Sequence, residues 1–199
     1  MTIGLTGGIG SGKSTVARAL ESMGHPVFYS DQAAKEIMSS DKSLQKDIIA
    51  HFGEEAYVNG VLNRAYLAER IFSNPDDKEV LNGMIHPRVR SAFAQFAQSA
   101  QSRLVFNEAA ILFETDGHVN FDKMILVTAP VETRIERVMK RDGSSAEQVR
   151  DRMKNQWTDE QKIPLADFVI KNGDTDRVLE QIEALSLIHI SEPTRLSRI

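Results

Sequence analysis

Residues Gly7 to Ser14 read Gly-Gly-Ile-Gly-Ser-Gly-Lys-Ser, a full match to the spacing G-x-x-x-x-G-K-[ST]. Glycines at 7, 8, 10 and 12 let the backbone curl until successive N–H groups face one anion. A helix opening near Lys13 adds its uncompensated amides and the positive end of its dipole. Lys13 is long enough to reach β- and γ-phosphates, and the Ser14 hydroxyl is a ligand for Mg²⁺. Gly8, Ile9, Gly10, Ser11, Gly12, Lys13, Ser14 and Thr15 are therefore the expected contacts of a nucleoside triphosphate. Ser14 is the expected metal ligand. A glycine-rich turn in an unrelated fold is the competing reading. It does not account for the apolar strand before the loop (Ile3, Leu5) or the amphipathic helix after it, with Val16, Leu20 and Met23 on one face.

A transferred phosphoryl group needs an acceptor that is oriented and deprotonated. Asp31 falls at the end of the second apolar run, where a parallel sheet gathers its ligands. A carboxylate there can take the proton of an attacking hydroxyl. It can also cap a helix starting at Gln32, and one residue can do both. Arg134, Arg137 and Arg141 recur at helical spacing and share a face. Turned toward phosphates they would stabilise transition-state charge; turned toward water they would pair with Glu132, Glu136 and Asp142. The solvated reading is assigned to Arg134, and the phosphate reading to Arg137 and Arg141. Arg64 opens a helical stretch and either meets the acceptor's phosphates or forms an ion pair with Glu69 or Asp47. His86-Pro87 reads as a helix start. Glu108 and Glu114 follow the third strand, either holding a metal-bound water or forming ion pairs. Trp157 is a stacking surface or a helix anchor.

These residues hang on an alternating pattern of strands and helices. Thr2–Thr6, Val27–Tyr29, Leu104–Asn107, Lys123–Val127 and Phe168–Ile170 read as strands separated by helical runs, the mark of a parallel sheet covered on both faces. The fold class is α/β: a five-stranded parallel sheet flanked by helices, of the phosphate-loop NTPase type. Residues 31–102 are too long for a simple crossover. They hold helical stretches at Gln32–Met38, Lys42–Phe52, Arg64–Phe72, Asp76–Leu81 and Arg88–Ala100, with turns at Asn59-Gly60 and Asn74-Pro75. This segment is expected to be a helical insertion that binds the acceptor. A second insertion, a lid, is expected at 142–162, where Asp142-Gly143-Ser144-Ser145 breaks one helix and opens another. The core is then 1–30, 103–141 and 163–184 of a single domain.

At 199 residues the chain supports one core, and its net charge of −4 gives no overall pull toward nucleic acid or anionic lipid. It holds no cysteine, which excludes disulfides, thiol catalysis and zinc-thiolate sites. No apolar run approaches the roughly 20 residues of a membrane span, and the first strand begins without a signal peptide. A cytoplasmic location follows, with no nucleic-acid or membrane partner; a monomer is expected, an oligomer left open. Asp174 should cap a last helix bearing Val178, Ile182 and Leu185. Residues 185–199 break that pattern. Their Leu-Ser-Leu-Ile-His-Ile-Ser-Glu-Pro-Thr-Arg run resembles the in-frame translation of a sequencing adapter, with a real but irregular tail as the alternative, and either way the tail is left out of the functional reading.

The guanine signature Asn-Lys-x-Asp is absent, and the chain is too short for the sensor elements of most motor ATPases. TGGIGSGKST at 6–15, a strand ending in Asp31, LNRAYLAERIF at 62–72, IHPRV at 85–89, EAAILFET at 108–115 and RVMKRDG at 137–143 together resemble the dephospho-coenzyme A kinase family. The resemblance runs from about residue 2 to 184. It implies ATP with Mg²⁺ as phosphoryl donor and the ribose 3′-hydroxyl of dephospho-coenzyme A as acceptor. It further implies residues 8–15 on ATP, Asp31 as base and His86 near the acceptor. Glu114 is kept at the end of a segment the family usually writes Pro-Leu-Leu-Phe-Glu, here with Ala110 in place of proline. Arg137 and Arg141 match the lid edge, Gln156 the lid glutamine, and Asn172 an asparagine near the adenine. The rival readings are a kinase of another small metabolite or nucleoside monophosphate, and a non-catalytic ATP-binding switch.

Overall fold

The first strand, β1 (Thr2–Thr6), is buried from Ile3 onward on both its faces, as the central strand of a parallel sheet must be. The computed structural model describes residues 1–188. After β1 come α1 (Lys13–Ser22), β2 (Val27–Tyr29), α2 (Ser30–Ser40), α3 (Lys42–Phe52), a hairpin of β3 (Tyr57–Val58) and β4 (Val61–Leu62), α4 (Arg64–Ser73) and α5 (Pro75–Ser99). The chain then runs through β5 (Val105–Glu108), β6 (Lys123–Thr128), α6 (Val131–Asp142), α7 (Ala146–Lys154), the short α8 (Asp159–Lys162), β7 (Phe168–Lys171) and α9 (Val178–Ile188). Two compact units emerge: residues 1–28 with the chain from 102 onward, and residues 29–101.

In the first unit the five strands line up as β2-β5-β1-β6-β7. Parallel register sets Thr2 beside Val105 and Leu5 beside Glu108 on one flank of β1, and Ile3 beside Lys123 and Thr6 beside Leu126 on the other. The loop after β1 therefore leaves the middle of the sheet at its carboxyl edge, the position where ligands collect in such folds. Val16, Ala17 and Leu20 of α1 are buried, as are Phe106, Ile125, Val127 and Ile170 of the strands. Ile135 and Val138 of α6 pack with Val149 of α7 and with Ile9 of the loop itself.

The second unit is helical with one small hairpin, which turns at the Asn59-Gly60 pair. Leu44, Ile48 and Phe52 of α3, Leu67 of α4, and Leu81, Ile85, Val89 and Phe93 of α5 are among its buried apolar residues. Asp41 caps α3 through bonds from the amides of Ser43 (2.9 Å) and Leu44 (3.0 Å). The same carboxylate accepts from Arg88 Nε at 3.1 Å, while Arg88 also reaches Asp47 at 2.8 Å, so one arginine of α5 fixes the start of α3.

Three sequence expectations change. The α2 helix opens at Ser30, not Gln32, so Asp31 stands in its first turn rather than at a strand end or a cap. The stretches Asp76–Leu81 and Arg88–Ala100 are one helix, α5, with Pro87 inside it. The proline forfeits the bond to the Gly83 carbonyl. At the next position the Arg88 guanidinium donates to the Met84 carbonyl at 2.7 Å. Asp174 does not cap α9, which opens at Val178; the turn before it is closed by Asp176, which accepts from the Gly173 amide at 2.6 Å. Of the tail set apart at 185–199, residues 185–188 continue α9, and 189–199 lie outside the described residues.

Candidate active site

Gly12 takes φ 91° and Gly10 φ 77°, left-handed conformations that a side chain would strain. A Cβ on Gly12 would overlap the Asn172 side chain, and one on Gly10 the backbone of Arg134. The loop is thus both curled and closely walled. Its internal bonds are few: Ser11 N–H to the Gly8 carbonyl at 3.1 Å, and Thr15 N–H to the Gly12 carbonyl at 2.9 Å. The amides of Gly10, Gly12 and Ser14 have no protein acceptor among the described residues. Helix α1 carries no acidic residue in its first turn, so its dipole is left for a ligand. Lys13 Nζ lies 3.5 Å from the Gly8 carbonyl, across the mouth of the curl. Ser14 is exposed.

Neighbouring elements grip the outer side of the loop. Arg134 of α6 donates from Nε to the Ile9 carbonyl at 2.9 Å, and Gln156 Oε1 accepts from the Ile9 amide at 2.8 Å. Asn172, just past β7, donates from Nδ2 to the Ser11 carbonyl at 2.8 Å. The Asn172 carbonyl in turn accepts from Arg137 at 2.7 Å, and Arg137 also reaches Asp174 at 3.3 Å. Arg134 is therefore not on a solvated face: it is buried under the loop and paired with Asp159 at 3.4 Å. Burial pushes the Arg134 guanidinium down and the Asp159 carboxyl up, each opposed by the other's charge. Arg141 behaves differently from both. It is bound to the neighbouring Asp142 at 2.7 Å, a hydrogen bond that raises the arginine pKa and lowers that of the aspartate. Arg152 of α7 shares Asp142 at 3.0 Å, and Arg150 meets Glu132 at 3.0 Å, so α7 is laced to α6 through exposed pairs.

Glu114 serves as an ion-pair partner. Its Oε1 lies 2.7 Å from Lys162 Nζ, a side chain with 0% exposure, and accepts from the Trp157 amide at 3.1 Å. The pair anchors residues 157–162 to the chain after β5. Lys162→Met is expected to cost about 3–5 kcal/mol by leaving a buried carboxylate unpaired. Combining it with Glu114→Met should restore part of that loss. Denaturant unfolding of the single and double variants checks both numbers.

A family model described as dephospho-CoA kinase matches residues 1–177. The chain belongs to the dephospho-CoA kinase family. It is 39% identical to a dephospho-CoA kinase of Bacteroides fragilis over 181 residues, 90% of this chain and 88% of that one. A crystal structure of a Thermus thermophilus protein superimposes with TM-score 0.84 at 36% identity, covering 94% and 96% of the two chains. The shikimate kinase of Bacteroides thetaiotaomicron, at 16% identity and TM-score 0.50 over 94% and 96%, shares the fold alone. The phosphate-loop kinase fold expected from the loop motif and the alternation of strands and helices is thus the observed one.

The remaining candidate residues of this dephospho-CoA kinase family member lie in the unit 29–101. Asp31 is exposed, with no protein partner among the described residues. Arg64 is the first residue of α4 and also exposed; it pairs with neither Glu69 nor Asp47, whose carboxylate is taken by Arg88. His86 sits mid-helix in α5 rather than at a helix start. Burial, with Arg90 adding to it, lowers its pKa below the usual 6.5. The unfolded chain then takes up a proton first as pH falls, so stability is intact above 6.5 and declines below it. His86→Gln should flatten that decline, read by denaturant unfolding at about pH 7.5 and about pH 5.5.

Sequence reasoning left two residues out of the site, Arg134 and Lys162. Position gave the arginine's helical face but not which side of the sheet α6 covers. Lys162 follows a polar run that gives no sign of burial.

Proposed function

We propose that this chain transfers the γ-phosphoryl group of ATP to the ribose 3′-hydroxyl of dephospho-coenzyme A, yielding coenzyme A and ADP. Family membership together with a preformed, outward-braced loop carries the reading. The loop fits a triphosphate: amides without protein acceptors, glycines that cannot be substituted without overlap, and a helix start free of acid. Among the described residues no cluster of three or more His, Cys, Asp or Glu side chains could hold a metal alone. This suits Mg²⁺, which usually takes one or two protein ligands and completes its shell with phosphates and water. Ser14 would supply that ligand, and a bound Mg²⁺ would offset phosphate charge during transfer.

The chain's own residues divide the work. Amides of residues 8–13 cradle the phosphates, Lys13 draws the γ-phosphate, and Thr15 supports the α-phosphate. Asp31 orients the acceptor hydroxyl and accepts its proton. Arg64 and His86 line the acceptor side, in the unit 29–101. Arg137 and Arg141 spread the transition-state charge as the 142–162 segment closes and excludes water, the competing acceptor. Arg141 must exchange Asp142 for phosphate to do so. Glu114 supports the segment's base through Lys162. No helix among the described residues is long and apolar enough to cross a membrane, and the protein acts in the cytoplasm as a monomer.

A coupled assay of ATP consumption against a panel of acceptors tests the assignment. Saturable turnover with dephospho-coenzyme A, and none with shikimate or nucleoside monophosphates, is expected. Preference for another acceptor overturns it.

A further inference from the structure

We propose that Arg134 and Asn172 are positioning residues that aim the Gly10 and Gly12 amides into the phosphate cradle by holding the carbonyls that precede them. The peptide bonds described are trans, and in a trans peptide the C=O of one residue and the N–H of the next point in opposite directions. Arg134 holds the Ile9 carbonyl on the outside of the curl, so the Gly10 N–H must face inward. Asn172 holds the Ser11 carbonyl in the same way, which turns the Gly12 N–H inward. Gly10 and Gly12 are also among the loop amides with no protein acceptor. The alternation is regular: carbonyls 9 and 11 are bound outside, amides 10 and 12 are offered inside.

Both holders are themselves fixed. The Arg134 side chain is 6% exposed, faces Asp159 at 3.4 Å, and presses so closely on Gly8 that a Cβ there would overlap its guanidinium. Asn172 is held through its own amide, which donates to the Thr128 carbonyl at 2.8 Å, and through its carbonyl, which accepts from Arg137. A loop aimed in advance loses little ordering freedom when an anion arrives. This role needs no contact between either residue and the nucleotide. It therefore departs from the adenine contact that the family resemblance implies for Asn172.

The inference rests on the reading of the loop as a triphosphate site, and the test separates it from the choice of acceptor. Inorganic triphosphate has phosphates and no adenine. Calorimetric titration of Asn172→Ala with inorganic triphosphate and with ATP should show both weakened by the same factor, about fivefold for one lost neutral hydrogen bond. Arg134→Lys keeps the charge but not the guanidinium geometry, and should weaken both by about tenfold. In turnover assays the KM for ATP rises in each variant while the KM for dephospho-coenzyme A stays put. Loss of ATP affinity with unchanged triphosphate affinity in Asn172→Ala would mean an adenine contact and overturn the proposal. Unchanged binding of both ligands overturns it equally. Should Arg134→Lys not fold, Asn172→Ala decides alone. If the wild type binds triphosphate but does not phosphorylate dephospho-coenzyme A, the acceptor assignment fails and the aiming role stands.

Discussion

Lys13→Ala is expected to lower turnover by roughly a hundredfold to a thousandfold, because a fixed charge at the transferring phosphate is worth several kcal/mol. Lys13 opens α1, and its ammonium already spans the loop toward the Gly8 carbonyl. The Ala variant keeps a good helix former at that position. Its thermal unfolding should therefore stay close to that of the parent while activity collapses. Steady-state kinetics with saturating acceptor measure the effect. Near-normal activity in that variant would remove the phosphate-loop assignment, and with it the reading of every residue around the loop.

The second large effect belongs to Asp31. Asp31→Asn should cut kcat by about 10²–10⁴, the usual contribution of a general base, while ATP binding measured by titration is nearly unchanged. The carboxylate makes no bond to protein among the described residues, so its loss breaks no internal contact. It does sit in the first turn of α2, where a negative charge adds roughly 0.3–1 kcal/mol of helix stability. Asparagine keeps the size and gives up only that. A parallel fall in ATP affinity would point instead to a metal or structural role.

The loop and its flanks were legible because each uses local rules. Glycine spacing, a short apolar run before it and helical periodicity after it are all properties of neighbouring residues. The five strands were legible for the same reason, each within about a residue of its observed span; Leu104–Asn107 became Val105–Glu108 because the ladder with β1 extends to Glu108. Pro87 misled because a proline normally ends a helix. Here tertiary packing of Ile85, Val89 and Phe93 carries α5 through it. The braces of the loop were the least legible part. Arg134 and Arg137 lie on the same helix three residues apart, yet one is buried against Ile9 and Asp159 and the other bridges Asn172 and Asp174. Helical spacing says that they share a face; it does not say what the face meets. Only the register of β6 with β7, which sets Thr128 beside Lys171, brings Asn172 next to Ser11.

The placement of β1 in the middle of the sheet has a consequence for how the protein is made. Its partners begin at Val105 and Lys123, so β1 waits with both edges bare until the chain has been made through β5 and β6. The intervening 29–101 unit is continuous in sequence and can close on its own helices meanwhile. The nascent β1, with its unpaired edges, is the segment most in need of chaperone cover during that interval.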